Sequence, residues 1–252
     1  MSKILNLIVI CAIIGCVSAK SIDWETRIVG GNETTIQNHP YQASILAPGY
    51  IHVCSGAIYS SRYIITAGHC IYRAIPYEVR VSVGSTAYAS GQIYTVDRII
   101  WHASFRPDPL FYDIGLVRTS YNMLFSDTVK PIALNSELFS GPTNATTTGW
   151  GSYSSGSGPS MNLRMLNVTT ITNEDCRNAH TAGGMGNVII ENVICANTTT
   201  SQGMCNGDAG GPMVKDDKLI GLVSWGVPCA RGYPDVYVRI SSHVDWIIRN
   251  AI

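Results

Sequence analysis

Two side chains and one turn in this sequence could do chemistry together. His69 lies in residues 66–70 (Thr-Ala-Gly-His-Cys), and Asp113 begins the run Asp-Ile-Gly-Leu. A histidine oriented by a carboxylate is a general base, and a glycine-rich turn can offer backbone N–H groups to a developing oxyanion. Such a turn occurs at residues 205–212 (Cys-Asn-Gly-Asp-Ala-Gly-Gly-Pro). Its fifth residue is Ala209, which has no oxygen and cannot form a covalent acyl intermediate.

These stretches resemble the motifs of the chymotrypsin/trypsin family of serine proteases, which carries Gly-Asp-Ser-Gly-Gly-Pro at the turn. The resemblance covers residues 27–252 and implies that His69 is the general base and Asp113 its orienting carboxylate. Ala209 then occupies the nucleophile position, and the N–H groups of Gly207 and Ala209 match the oxyanion hole. Because loss of the serine lowers kcat by about 10⁶-fold, the resemblance implies a homologue that is not an enzyme.

The pocket that selects the substrate side chain departs from trypsin. Gly203 stands where the resemblance places a basal aspartate, and Met204 stands where a small polar residue is usual. Asp235 stands where glycine is common, and it could either restore a negative charge or fill the pocket. Ser224 is expected to help hold the triad aspartate. The full set of expected pocket residues is Gly203, Met204, Ser224, Trp225, Gly226, Pro228 and Asp235.

The amino-terminal region predicts secretion and activation. Lys3 precedes an apolar run that ends in small residues, so residues 1–19 are predicted to be a signal peptide and residues 20–27 a propeptide. In the resembled family, cleavage after the residue matching Arg27 frees an α-amino group at the residue matching Ile28. That group then pairs with the carboxylate before the nucleophile, here Asp208. The trypsin-like domain is predicted to span residues 28–252.

The cysteines predict a disulfide framework in an oxidising compartment. Of eight cysteines, Cys11 and Cys16 fall in the signal peptide, which leaves six. Spacing alone leaves many pairings open. The resemblance implies the pairs Cys54–Cys70, Cys176–Cys195 and Cys205–Cys229. Without clustered histidine ligands a zinc site is the weaker reading, so we expect no metal and no cofactor.

Composition and patterning indicate one large all-β domain. The chain has 252 residues, 46% hydrophobic, with 17 basic and 17 acidic residues. This balance argues against nucleic acid or a membrane surface as the main partner. Two sets of β-branched and aromatic runs separated by Gly, Pro and Ser clusters match the family's double antiparallel β-barrel. The first set of predicted strands covers residues 54–59, 62–67, 77–83, 93–100 and 114–118, and the second covers residues 144–149, 164–171, 213–214, 219–225 and 235–240. A carboxy-terminal helix capped by Ser241 or Ser242 is predicted, with Val244, Ile247, Ile248 and Ala251 on one face.

Four Asn-x-Thr sequons add acceptor sites for N-linked glycans. They begin at Asn32, Asn144, Asn167 and Asn197.

Three functions remain open at this stage. The first is a secreted pseudoprotease that binds extracellular proteins as a monomer. Here the chain looks like the inactivated protease paralogues of the scabies mite, relatives of the group 3 mite allergens, which implies interference with host complement. The second is a decoy that captures protease inhibitors in the old cleft. The third is a trypsin-like endopeptidase trapped by a deliberate change from serine to alanine.

Overall fold

The structure is a computed structural model that describes residues 28–139, 141–152, 154, 156–227 and 229–252. The predicted signal peptide and propeptide, including Arg27, lie outside these residues, as does Pro228. Among the described residues, no helix is both long enough and apolar enough to cross a membrane.

The first barrel is a closed ring of six antiparallel strands in the order β2-β3-β4-β9-β6-β5. Its strands are β2 (Gln42–Ala47), β3 (Ile51–Ile58), β4 (Tyr63–Thr66), β5 (Arg80–Val83), β6 (Gln92–Trp101) and β9 (Gly115–Thr119). Alternate side chains point inward, so Ile45, Ile64, Val81 and Val117 fill the barrel and are at most 1% exposed. A short hairpin of β7 (Arg106–Pro107) and β8 (Leu110–Phe111) lies in the loop before β9.

The second barrel also closes with six strands. They are β11 (Asn144–Gly149), β12 (Arg164–Ile171), β13 (Val193–Ala196), β14 (Pro212–Lys215), β15 (Lys218–Trp225) and β16 (Asp235–Arg239). The ring runs β12-β11-β14-β15-β16-β13 and closes through pairing of β13 with β12. Two short strands join it, β1 (Asn32–Glu33) on β12 and β10 (Ala133–Leu134) on β15.

A shared apolar layer joins the two barrels and fixes the cleft between them. Ile65 and Leu116 of the first barrel belong to the same buried cluster as Leu222 and Val238 of the second. Burial of each of these side chains contributes roughly 2 kcal/mol to folding, and their shared cluster couples the two barrels. The loops that carry the candidate site residues are therefore held on a rigid base. The predicted all-β double barrel is confirmed.

Helices are few and short. They are α1 (Gly68–Ile71), α2 (Asn173–Thr181) and α3 (Val244–Asn250). Helix α2 begins with a side-chain cap, since Thr172 Oγ1 accepts from the N–H of Asp175 at 3.0 Å.

The carboxy-terminal helix exists, but its predicted cap is wrong. Ser241 and Ser242 belong to a 3-10 turn, and α3 follows His243 without a side-chain cap. The 3-10 turn moves the cap to His243, one residue after Ser242 and two after Ser241. The predicted apolar face is also partly wrong, because Ile248 is 54% exposed and Trp246 packs on the core instead.

Candidate active site

His69 and Asp113 meet at the edge of the first barrel. His69 is placed by α1, directly after β4, and Asp113 precedes β9, which pairs with β4. The Nδ1 of His69 lies 2.8 Å from Oδ2 of Asp113, and the backbone N–H of His69 donates to Oδ1 at 2.7 Å. Ser224 of β15 donates its hydroxyl to the same Oδ2 at 2.6 Å. The buried carboxylate thus holds His69 through both its imidazole and its backbone N–H.

The environment of His69 favours its protonated form. Burial opposes protonation, but the hydrogen bond and the negative charge of Asp113 outweigh it, so the pKa of His69 is raised. Gly68 fits this packing closely. A Cβ at residue 68 would lie 3.1 Å from the backbone nitrogen of Ile114 and 3.2 Å from Phe105. An alanine at residue 68 would require these neighbours to shift by only a few tenths of an ångström.

The turn at residues 207–209 presents its backbone to the cleft. Gly207 has a φ of +94°, a left-handed conformation that glycine adopts without strain. The carbonyl of Ala209 accepts from the N–H of Ser55 in the first barrel at 2.8 Å. Among the described residues, nothing accepts from the N–H of Gly207 or of Ala209. Both residues line the cleft, so these two donors remain available to a ligand oxygen.

Asp208 points away from the cleft into a fully buried cradle. Its Oδ1 accepts from the N–H of Gly151 at 2.8 Å, and its Oδ2 from the N–H of Cys205 at 3.0 Å. Burial raises the pKa of Asp208 to about 7, which these N–H groups partly oppose. A Cβ on Gly149 or Gly151 would lie 2.2 Å from the carboxylate. The Gly-Trp-Gly triplet at residues 149–151 signals this cradle, which sequence reasoning missed.

A second histidine, also missed from the sequence, supports the turn. His52 is buried, and its Nε2 lies 2.9 Å from the carbonyl of Gly207 while Nδ1 lies 2.7 Å from Ser44 Oγ. A carbonyl only accepts, so Nε2 carries the proton and Nδ1 accepts from Ser44. Burial lowers the pKa of His52 to about 4, which keeps the ring neutral near pH 7. His52 therefore orients the peptide of Gly207.

Asp235 lies across the base of the pocket. Its Oδ2 accepts from the N–H of Met204 at 2.7 Å, and the side chain is 3% exposed. A Cβ on Gly203 or on Gly226 would approach the carboxylate to 3.3 or 2.8 Å, so the glycines make room for it. Burial raises the pKa of Asp235 to about 7, the N–H of Met204 lowers it, and Asp208 raises it further. The carboxyl occupies the base without filling the pocket, because Asp235 still lines the open cleft.

Trp225 forms one wall of the cleft and is supported from behind by His180. The two ring centroids are 5.0 Å apart, and Tyr233 lies on the other side of His180 at 5.9 Å. His180 Nε2 is 2.9 Å from the carbonyl of Pro234, directly before Asp235. This histidine couples the wall and the base of the pocket, and no motif in the sequence pointed to it.

The segment after the predicted cleavage site already lies in the second barrel. Ile28 is fully buried in its apolar core, and Val29 forms a β-bridge with Gly203. The chain is continuous at residue 28, so the nitrogen of Ile28 belongs to a peptide bond. The predicted ion pair with Asp208 requires cleavage, and Arg27 lies outside the described residues.

The three disulfides join the pairs that the resemblance implies: Cys54–Cys70, Cys176–Cys195 and Cys205–Cys229. Cys54 and Cys70 of the first disulfide line the cleft beside His69, and Cys205 of the third also lines it. Potential ligand atoms of Cys54, Cys70 and His69 lie within 4.8 Å of one another. Because both sulfurs are consumed in a disulfide, these residues offer no thiolate to a metal ion.

These parts enclose a cleft of about 430 Å³ between the barrels. Its lining includes His69, Gly207, Ala209, Trp225 and Asp235. The structure thus brings all described predicted site residues together around one cleft or directly behind it. Pro228 is outside the described residues, so its predicted place on the rim stays a prediction.

Comparison with known proteins agrees with this arrangement of fold and site. The Trypsin family profile matches residues 28–247. Trypsin beta of Drosophila erecta is 38% identical over 229 residues, which cover 89% of this chain and 88% of the fly protein. Trypsin-1 of Astacus astacus is 36% identical over 244 residues, covering 89% of this chain and all of the crayfish protein. The chain belongs to the trypsin family.

Solved structures share the fold. The scabies mite inactivated protease paralogue S-D1 superposes with a TM-score of 0.81 at 24% identity, covering 87% of this chain and 95% of the mite protein. Mouse neuropsin, a serine protease, superposes with a TM-score of 0.80 at 27% identity, covering 88% of this chain and 99% of neuropsin. At 24% identity, the mite structure shows a similar fold and no more.

Proposed function

We propose that this protein is a secreted pseudoprotease, a trypsin-family member that binds proteins without cleaving them. The observation that carries the proposal is Ala209, whose side chain is a methyl group at the position of the nucleophile. His69 and Asp113 are retained and lie within hydrogen-bonding distance of each other. With a general base and an oxyanion hole but no nucleophile, the residual kcat is expected to be about 10⁶-fold below that of the serine enzyme.

Several neighbouring features support loss of proteolysis rather than its transfer to another residue. Ser224 is another serine of the site. Its Oγ donates a hydrogen bond to Asp113, so this hydroxyl holds the carboxylate and is not free to act as a nucleophile. Ser55 contributes its backbone N–H to the turn. The hydroxyl groups of Ser224 and Ser55 both lie outside the turn that presents residue 209 to His69. Asp235 also makes the pocket base different from that of trypsin.

Secretion and the partner class belong to the same proposal. The predicted signal peptide and the three disulfides support export to an oxidising compartment. The sequence motifs resemble those of the inactivated proteases of the scabies mite. Host complement proteins are therefore the first partners to test. A complement-dependent lysis assay with the secreted protein measures this directly, and unchanged lysis at saturating protein would refute that partner.

A second function, capture of protease inhibitors, is favoured by one observation. The cleft remains open, and its lining draws on both barrels, with His69 from the first and Trp225 and Asp235 from the second. An inhibitor loop needs such a cleft and two free N–H donors but no nucleophile. Trp225→Ala should then abolish binding of a trypsin inhibitor protein, while Tyr121→Ala, which changes a 74% exposed residue outside the cleft lining, should not.

The experiment for the main proposal is hydrolysis of arginyl and leucyl peptide esters by the form beginning at Ile28. Wild type is compared with Ala209→Ser, and His69→Ala in the Ala209→Ser background is the matched control. We expect turnover only in the single revertant. Protease-like turnover by wild type would overturn the proposal, because another nucleophile would then exist. If neither protein cleaves, the pocket rather than the nucleophile limits activity, and the retained cleft cannot act as we propose for inhibitor capture.

A further inference from the structure

The four sequons, which lie as far apart as residues 32 and 197 in the sequence, meet on one face of the second barrel. Strand β12 is the centre of this convergence. Asn167 lies on β12 itself, and Asn32 of β1 pairs directly with Met165 of β12. Asn144 of β11 pairs with Thr169. Asn197 donates its backbone N–H to the carbonyl of the same threonine at 2.8 Å.

The register places all four asparagines on the outer side of the sheet. Along β12 the even-numbered residues are buried, whereas Asn167 and Thr169 are exposed. Directly paired residues share a face, so Asn32 and Asn144 point outward with them. Asn197 follows Ala196, which is buried and pairs with Thr170, and therefore also points outward. With about 3.4 Å per residue, the four sites fall within about 14 Å along the strand.

The two central sequons also interlock. Asn144 Oδ1 accepts from Thr169 Oγ1 at 3.0 Å, and Asn167 Oδ1 accepts from Thr146 Oγ1 at 3.0 Å. The threonine of each sequon thus holds the asparagine of the other. In both pairs the amide uses its oxygen, which leaves the nitrogen directed away from the bond.

The amide nitrogens of the four sequons are free for a glycosidic bond. No described residue accepts from Nδ2 of these asparagines, all of which are exposed. Other asparagines behave differently, since Asn135, Asn173 and Asn250 donate through Nδ2 to backbone carbonyls. An N-linked glycan replaces one hydrogen on this nitrogen, so the fold loses no protein hydrogen bond when the glycan is attached.

The surrounding surface suits a sugar cover and is separate from the cleft. None of the described residues of β1, β11, β12 or β13 is a large exposed hydrophobic side chain. None of the sequon residues lines the cleft. Glycans on this face would therefore leave access to His69 and Trp225 unchanged.

We propose that the outer face around β12 is a glycan-covered surface, with N-linked glycans at Asn32, Asn144, Asn167 and Asn197. This inference depends on entry into the secretory pathway and not on whether the protein is an enzyme. Because the glycans exclude protein from this face, a partner of the pseudoprotease must approach through another surface, such as the cleft.

Site mapping tests the proposal on the wild-type chain. The 252-residue precursor is expressed in insect cells, and protein from cells and medium together is digested and treated with a peptide N-glycosidase in ¹⁸O-labelled water. Each glycosylated asparagine becomes an ¹⁸O-labelled aspartate, visible by mass spectrometry. We expect conversion at three or four of the four sites. Conversion at two or fewer would overturn the proposal.

Variants assign the glycan mass of the intact protein to individual asparagines. Asn144→Gln and Asn167→Gln should each remove one glycan from the intact mass, while Asn122→Gln, an exposed asparagine outside any sequon, should remove none. Thr146→Val should remove the glycan of Asn144, and Thr146→Ser should retain it. Loss of a glycan in the Asn122 control, or none in the Asn144 and Asn167 variants, would contradict the assignment.

Discussion

The two sides of the cleft differ in what they retain. The first-barrel side keeps the polar side chains of the resembled family, with His69 and Asp113 2.8 Å apart. The second-barrel side keeps the backbone geometry of its turn but carries Ala209 at the nucleophile position and Asp235 at the pocket base. Backbone features depend on glycines and buried hydrogen bonds, so they survive a change that removes one oxygen atom. A change at the nucleophile position therefore leaves the scaffold of the cleft in place.

The same contrast shows where the fold tolerates substitution. Residue 209 lines the open cleft, and its small side chain is only partly buried against the first-barrel core. The residues behind the turn have less freedom to change, because Asp208 is fully buried against Gly149 and Gly151. We therefore expect the largest effects from changes behind the second-barrel side and the smallest from changes beside His69.

Gly151→Ala should have the largest effect on stability. Its Cβ would lie 2.2 Å from the Asp208 carboxyl group, which is fixed by two backbone N–H groups and has no space to move. We expect the free energy of unfolding to fall by about 3 kcal/mol or more, measured by urea denaturation. Gly158→Ala is the control from the same loop, since a Cβ there meets nothing within 4 Å. Equal stability of the two variants would break the contrast.

Asp235→Asn should have an intermediate and pH-dependent effect. The folded pKa of Asp235 is raised from 3.8 to about 7, so its contribution to stability is present below pH 3.8 and is lost as pH rises through about 7. An asparagine can still accept from Met204 but does not ionise. We expect the free energy of unfolding of the variant to exceed that of wild type by on the order of 2 to 4 kcal/mol at pH 8 and to equal it near pH 4.

Urea denaturation at both pH values measures this difference. Asp127→Asn is the control, because that carboxylate is fully exposed and should give no pH-dependent gain. A stability difference between Asp235→Asn and wild type that stays constant with pH would show that burial does not shift this carboxyl group.

Gly68→Ala should have the smallest effect. The added methyl group meets Ile114 and Phe105 at 3.1 to 3.2 Å, which is tight, while the loss of glycine's unfolded-state freedom compensates. We expect a net change within about 1 kcal/mol. The pKa of His69, followed by NMR, should stay above 6.5 in both proteins, because Asp113 raises it. A fall of this pKa in the variant would show that Gly68 positions the pair.

The fold could be predicted from sequence where pattern and motif coincide. The predicted strands at residues 144–149 and 164–171 match β11 and β12 to the residue. Strands β2 and β13 were missed, although both are buried, because neither adjoins a catalytic motif. The Ser241–Ser242 cap failed because a 3-10 turn precedes α3, and cap geometry is not readable from residue type alone.

The site was predicted as far as motifs reach. His69, Asp113, Ala209 and Asp208 stand in recognisable runs, so their positions follow from the resemblance. His52 and His180 do not, since each acts through a carbonyl more than 50 residues away in sequence. The two readings left open for Asp235 needed coordinates, because occupying a base and filling a pocket differ only in where the carboxylate lies.

Labelling with a fluorophosphonate tests the central claim most directly, because this reagent phosphonylates an activated serine oxygen and releases fluoride. The chain beginning at Ile28 and its Ala209→Ser variant are treated in parallel, and the adduct is located by mass spectrometry. We predict no adduct on wild type and one adduct on residue 209 of the variant. An adduct on wild type, or a variant that does not react, would contradict the view that one missing oxygen separates this retained cleft from a working protease.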